Sequence, residues 1–359
     1  MDMNKKINPH MVRLARESRG LTQSDLATQL KVSQANISKI ENGTTLDIGD
    51  NLLKILSNIL EYPEDFFFLN EDLYGPGLAF IYHRSRRSLP KKTAEQIEAL
   101  ININRIVISK LLKSVEHDVN FPIYDIEDSN PDEIAQAIRA AWYLPRGPIK
   151  NVIQMIEKAG GIVIPCDFGT PKIDALSQYI PGFPPLFFIN KNIPTDRLRH
   201  SLCHELGHVV MHRIPRPEAD IEKEADAFAA ELLMPAAEIG SSLHNVKLHT
   251  LAQLKPYWKT AMSSLLVRAN RLRKITQNQE RYLWIQMAPY KHREPVELDI
   301  PAEEPKALRQ LIDIYLNEYN YSLPELSKAV NLHADEFRTN YLGEERHLKL
   351  VKTHTGGKM

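Results

Sequence analysis

Apolar residues recur along this chain at helical spacing in short blocks, and turn chemistry closes each block. Met11, Val12, Leu14 and Ala15 form the first stripe, with Gly20 as a C-terminal cap. Thr22 caps a second helix carrying Leu26, Ala27 and Leu30. After a Lys31-Val32-Ser33 turn, Ser33 caps a third helix, Gln34 to Glu41, which stops at Asn42-Gly43. Helices from about Asp47 to Leu60 and from Pro63 to Leu69 complete a predicted five-helix domain over residues 1–70.

The pattern then lengthens. Residues 71–129 read as a helical connector whose Thr93–Glu116 helix carries Ile97, Leu100, Ile101, Ile103, Ile106, Val107, Ile108 and Leu111. So apolar a helix must bury against another domain or against its own copy in a second subunit. A basic run, His83 to Lys92, precedes it and reads as a solvated linker.

Over residues 130–240 the period alternates between helix and strand. Ile134, Ala135, Ile138 and Trp142 share a helix face, a second helix runs from Ile149 to Ala159, and Gly160-Gly161 ends it. Strands follow at Ile162–Pro165, Ala175–Ile180 and Leu186–Asn190, separated by Pro- and Gly-rich turns. An edge of such a sheet can hold an extended peptide by pairing with it. Residues 241–359 return to helices. Thr250–Leu272 has a packing set of Leu251, Leu254, Tyr257, Met262, Leu265, Leu266 and Ala269; Ser322–His333 echoes Thr22–Ser33; and Thr353–Met359 reads as a frayed tail.

Candidate chemistry is concentrated in two places. The first is the third helix, where Gln34, Asn36 and Lys39 lie on the exposed side while Ala35, Ile37 and Ile40 can pack. Short polar side chains at an exposed helix N-terminus reach base edges in the major groove. Gln23, Ser38 and the capping Ser33 complete the candidate DNA-contact set, and Arg13, Arg16 and Arg19 add local positive charge. This helix order and turn chemistry closely resemble the Xre (lambda-repressor-like) helix-turn-helix family. The resemblance implies a double-stranded DNA operator and binding as a homodimer.

The second place is His204-Glu205-Leu206-Gly207-His208. Residues four apart on a helix lie one above the other, so His204 and His208 can offer imidazole nitrogens to one metal ion. Glu205 sits close enough to act as base toward a water on that ion. His200 and His212 continue the spacing, but each step of four drifts by about 40°, so the four histidines cannot converge on one ion. They are expected in the surroundings, the core or the surface. On the following helix, Glu218 to Met234, Glu222 can supply the third ligand. Asp226, four residues on, can accept a hydrogen bond from a ligand histidine, while Glu224 points nearly the opposite way. An oxyanion-stabilising group is also required, with Arg197, Arg199, Tyr179 and His200 as candidates. Cys203 points off the ligand face by about 100° and is expected in the core.

Leu144-Pro145-Arg146-Gly147-Pro148, Glu157-Lys158-Ala159-Gly160-Gly161, Asp196-Arg197-Leu198-Arg199, the His204–His208 stretch, Glu222 and Ala229-Ala230-Glu231-Leu232-Leu233-Met234-Pro235 together resemble the ImmA/IrrE family of zinc metallopeptidases. The likeness covers about residues 130–240 and continues toward residue 300. It implies a gluzincin-like site with one Zn2+ per chain on His204, His208 and Glu222, Glu205 as base, and a regulatory protein as substrate. The expected fold class is mainly α with a small β-sheet. It comprises the helix-turn-helix domain, the helical connector, an α+β zincin-like domain and a C-terminal helical region.

Composition sets outer bounds. Lys plus Arg and Asp plus Glu are 45 each, so DNA contact must come from a local patch rather than a global basic field. Two cysteines, Cys166 and Cys203, make no disulfide framework, and neither a signal core nor a membrane span is evident, which points to the cytoplasm. Two functional classes follow. One is a DNA-binding regulator carrying a zinc endopeptidase that cleaves a repressor or another copy of itself. The other is a non-proteolytic transcription factor that uses the peptidase-like domain as a ligand or metal sensor.

Overall fold

The computed structural model describes residues 6–73, 89–124, 126, 129–212, 217–290 and 293–343. In chain order the helices begin with α1 (Pro9–Ser18), α2 (Gln23–Leu30), α3 (Gln34–Glu41), α4 (Gly49–Leu60) and α5 (Lys91–Leu112). Then come α6 (Pro131–Ala141), α7 (Val152–Lys158), strands β1 (Ile162–Cys166), β2 (Ala175–Gln178) and β3 (Leu186–Asn190), and helices α8 (Thr195–Met211) and α9 (Glu218–Leu233). The remainder is helical: α10 (Ala236–Ile239), α11 (Leu248–Trp258), α12 (Met262–Arg271), α13 (Gln277–Met287), α14 (Ala307–Asp313), α15 (Leu323–Ala329) and α16 (Ala334–Phe337). The protein is mainly α with a small mixed sheet.

Two compact units emerge. One comprises Met1–Glu71, Ile106–Lys113 and Arg309–Met359; the other comprises Asp72–Arg105 and Ser114–Leu308. The connector expected at 71–129 and the C-terminal region expected at 241–359 are thus each divided between the units.

In the first unit, side chains set the helix starts. Asn8 accepts from the His10 amide, Thr22 and Asp25 form a reciprocal capping box, and Ser33 accepts from the Asn36 amide. Lys31 takes the left-handed conformation, φ 56°, that turns α2 into α3. Met11, Leu26, Ile37, Leu56 and Phe67 are buried at the centre. The expected fifth helix is a short 3-10 turn, Glu64–Phe68. The C-terminal helices join this unit through Glu336, which accepts two hydrogen bonds from Arg19 at 2.8 and 2.9 Å. The Arg19 guanidinium also stacks over Tyr62, 4.4 Å from the ring centre. Arg16 pairs with Glu41. All three arginines counted as local positive charge therefore pair with carboxylates, Arg13 with Glu17 at 2.7 Å, and of the three only Arg13 is exposed.

The apolar positions of α5 are buried within the chain, Ile97, Ile106, Val107 and Leu111 at 1% exposure each. They give no reason to invoke a second subunit. Residues 83–88 of the basic run, and Thr353–Met359, lie outside the described residues.

In the second unit the sheet order is β1-β3-β2. β1 runs parallel to β3 with Ile162 opposite Leu186, and β2 runs antiparallel to β3 with Ala175 opposite Ile189. All five residues of β3 are buried, as a central strand covered on both faces requires. The helix α8 packs between β2 and α9. A Cβ at Gly207 would lie 3.0 Å from Phe228 and 3.4 Å from the Ala225 Cα, so this glycine lets α9 approach α8 closely. Tyr257 departs from its expected packing role and is 59% exposed.

Candidate metal centre and helix-turn-helix

The helix α8 carries His204 and His208 one turn apart, and α9 carries Glu222 toward them. Ligand atoms of the three side chains all lie within 4.8 Å of one another. The two Nε2 atoms are 3.0 Å apart, and the Glu222 carboxylate reaches to 3.6 Å from His204 Nε2 and 3.5 Å from His208 Nε2. His208 and Glu205 are 2% and 1% exposed.

Hydrogen bonds behind the cluster orient it. Asp226 Oδ1 lies 2.8 Å from His204 Nδ1. The carboxylate accepts that ring N–H, which turns Nε2 toward Glu222. Burial opposes ionisation of Asp226, but the hydrogen bond and charge of His204 outweigh it and hold the carboxyl below its ordinary range. Burial likewise works against a charged His204. Hydrogen bonds to Asp226 and Glu222, with the Glu205 charge, outweigh it and push the imidazole up to about 10. A cation bound here replaces that proton, so binding is coupled to proton release.

The residues fit a zinc ion. Two imidazole nitrogens and a carboxylate are a common protein ligand set for this metal. Among the described residues, Glu222 Oε1 is buried without a hydrogen-bond partner, an arrangement that is costly unless something else satisfies the oxygen.

Glu205 stands beside the ligands with its carboxylate fixed from the sheet, because Ser177 Oγ on β2 donates to Glu205 Oε2 at 2.6 Å. Sequence reasoning missed Ser177. The available signal was a polar pair, Ser177-Gln178, in a strand expected to be buried. Glu224, which the sequence turns away from Glu222, instead meets the end of α8, its Oε2 3.0 Å from His212 Nε2.

The oxyanion candidates separate. Arg199 is fully buried and structural: it donates to the Lys259 and Ile149 carbonyls at 2.9 and 2.7 Å and pairs with Glu303. Arg197 pairs with Asp174, and Tyr179 packs partly buried against the core. His200 lines a cleft of about 630 Å³ with Asp174, Ser201, Trp284 and Tyr290, beside the N-terminal half of α8. Cys203 is in the core, and burial pushes its thiol up to about 12.

On α3, Gln34, Asn36 and Lys39 are exposed, as is Ala35, which had been expected to pack. Ser38 is half-buried and Ser33 is occupied as the cap. Gln34 Nε2 donates to Gln23 Oε1 at 2.6 Å, and Gln23 Nε2 donates to Glu41 Oε2 at 2.8 Å. Gln23 therefore ties the start of α3 to the Arg16–Glu41 pair.

A buried His pair on one helix, a glutamate beside it and a carboxylate from the next helix form a candidate metal site, and α2 and α3 form a helix-turn-helix. Comparison with protein families assigns both segments: residues 156–270 match the peptidase family M78, described as the IrrE N-terminal-like domain, and residues 12–67 match a helix-turn-helix family. The chain thus carries an Xre-type helix-turn-helix domain and an M78 peptidase domain with a candidate metal site at His204, His208 and Glu222. A comparison with curated protein sequences finds no match. No helix among the described residues is long and apolar enough to cross a membrane.

Proposed function

We propose that this protein is a DNA-binding transcriptional regulator whose peptidase domain is a working zinc endopeptidase. Its substrate is a regulatory protein, either a repressor or a second copy of this chain. The observation that carries the reading is Glu205: it is buried beside the His204, His208 and Glu222 cluster and held by Ser177 at 2.6 Å. A domain used only for sensing has no use for an oriented base. One zinc ion per chain, held by His204, His208 and Glu222, would supply Lewis acidity toward a peptide carbonyl and toward water. Glu205 takes a proton from the attacking water and delivers it to the leaving amine, and Ser177 keeps its carboxylate aimed. Asp226 fixes the His204 ring. A peptide strand added to an edge of the β1-β3-β2 sheet would lie extended beside α8.

The helix-turn-helix directs the enzyme to an operator. Gln34 and Asn36 contact the groove, while Lys39, Gln23, Ser33 and Ser38 stand near the phosphates. Near-palindromic operators call for a homodimer, acting in the cytoplasm.

The test pairs elemental mass spectrometry with mapping of protein N-termini in the host cell. About one zinc per chain is expected, lost in His204→Ala and Glu222→Ala. New N-termini should appear with the parent and vanish with Glu205→Gln. Full zinc occupancy without any Glu205-dependent N-terminus would replace proteolysis with the sensor reading.

A further inference from the structure

Beyond the ligands and Asp226, α8 and α9 contain a second chain of contacts that the proposed reaction does not use. His208 Nδ1 lies 2.9 Å from His212 Nδ1, and His212 Nε2 lies 3.0 Å from Glu224 Oε2. The His212 side chain is 1% exposed and that of Glu224 is 20% exposed.

With His208 and His212 neutral, one arrangement of protons satisfies the contacts that run from His208 through His212 to Glu224. The Glu224 carboxylate can only accept, so His212 Nε2 carries the proton and donates it. His212 Nδ1 is then a bare acceptor. It faces His208 Nδ1, which must therefore be the donor, and this leaves His208 Nε2 with its lone pair directed at His204 Nε2 and Glu222. In the other tautomer His208 would meet His212 nitrogen to nitrogen with no proton between them, and would turn an N–H on the cluster.

We propose that Glu224 and His212 form a positioning relay that fixes His208 as a metal ligand. The relay lies on the opposite side of the cluster from Asp226, so each ligand histidine is set by its own carboxylate: His204 directly, His208 through an interposed imidazole. His212 is the C-terminal cap residue of α8, and His208 is within its last turn. Glu224 and His212 are positioning residues; neither reaches the cluster itself. The proposal rests on the metal-site reading above.

The test is zinc affinity of the full chain, measured by competition with a chromophoric chelator, together with thermal unfolding in excess chelator. His212→Ala and Glu224→Ala are expected to weaken zinc binding on the order of 10–100-fold, the usual range for removing such support. His212→Asn keeps an acceptor toward His208, and Glu224→Gln keeps an acceptor toward His212, so both should recover most of the affinity. Metal-free unfolding temperatures of Glu224→Ala and the parent should agree. Alanine variants that bind zinc like the parent, while His204→Ala does not, would overturn the relay and leave the metal site intact. Conservative variants as weak as the alanine ones would reduce the two residues to packing and overturn it as well. A parent chain that binds no zinc would remove the metal site and the relay together. Nitrogen-15 spectra of the imidazoles give an independent reading, since His208 is expected as the Nδ1–H tautomer in the parent and as a mixture in Glu224→Ala.

Discussion

Ser177 on the edge strand β2 donates a 2.6 Å hydrogen bond to the carboxylate of Glu205 on α8. The sheet therefore does more than support the metal-binding helix, because it sets the direction of the proposed base. A hydrogen bond to a charged group contributes about 1.5–3 kcal/mol. Ser177→Ala should accordingly slow cleavage about 10–100-fold while zinc per chain stays at the parent value. A parallel loss of zinc would show that Ser177 supports the fold of the cluster instead of the base alone.

In the helix-turn-helix unit, Arg16 and Glu41 form a buried pair, with Nε–Oε1 at 2.5 Å and side chains 7% and 4% exposed. Burial opposes the Arg16 charge, but the hydrogen bond and charge of Glu41 outweigh it and raise the guanidinium further. Removing one partner of such a pair strands the other, at a cost of about 3–5 kcal/mol. Arg16→Met should lower the unfolding free energy read from urea titration by that amount, and Arg16→Met with Glu41→Leu should recover much of it. Single and double variants with equal loss would mean that shape, not the uncompensated charge, governs the site.

Cys203 is fully buried in α8, and burial pushes its thiol up to about 12; Cys166 is pushed to about 12 by the same cause. Thiolate is the reactive form. At pH 8 both cysteines should resist iodoacetamide in the native protein and react fully in denaturant, as read by intact mass. Rapid native labelling of Cys203 would mean that α8 opens far more readily than its packing allows.

Parts of this architecture were legible because a helix encodes them locally. The four-residue spacing of His204 and His208, and of Glu222 and Asp226, projects side chains onto one face whatever the rest of the chain does. Ser33, Thr22 and Asn8 announce helix starts by the same local logic. The hidden features depend on approach between elements. Glu224 faces away from Glu222 on its own helix, yet it meets His212 where α8 ends. Ser177 sits in a strand whose pairing no local pattern specifies. Glu336 pairs with Arg19 of the N-terminal helices, 317 residues away in the chain, so two charges that no local pattern links cancel.

The exposed N-terminal end of α3 gives the last prediction. Gln34 is held by Gln23 at 2.6 Å, and Gln23 is held by Glu41, so the first reading side chain is ordered before DNA arrives. Preorganisation lowers the entropy cost of binding. Gln34→Ala with Asn36→Ala should abolish sequence preference in a gel-shift assay while weak non-specific binding persists. Gln23→Ala should weaken the specific complex without changing which sequence is preferred, because it frees Gln34 but leaves its chemistry. Lys39→Ala should lower affinity for all sequences alike and reduce the salt slope by about 1, as expected for one lost phosphate contact. A changed base preference in Lys39→Ala would place Lys39 on a base edge, and unchanged operator affinity in the Gln34 and Asn36 double variant would move the reading surface off α3.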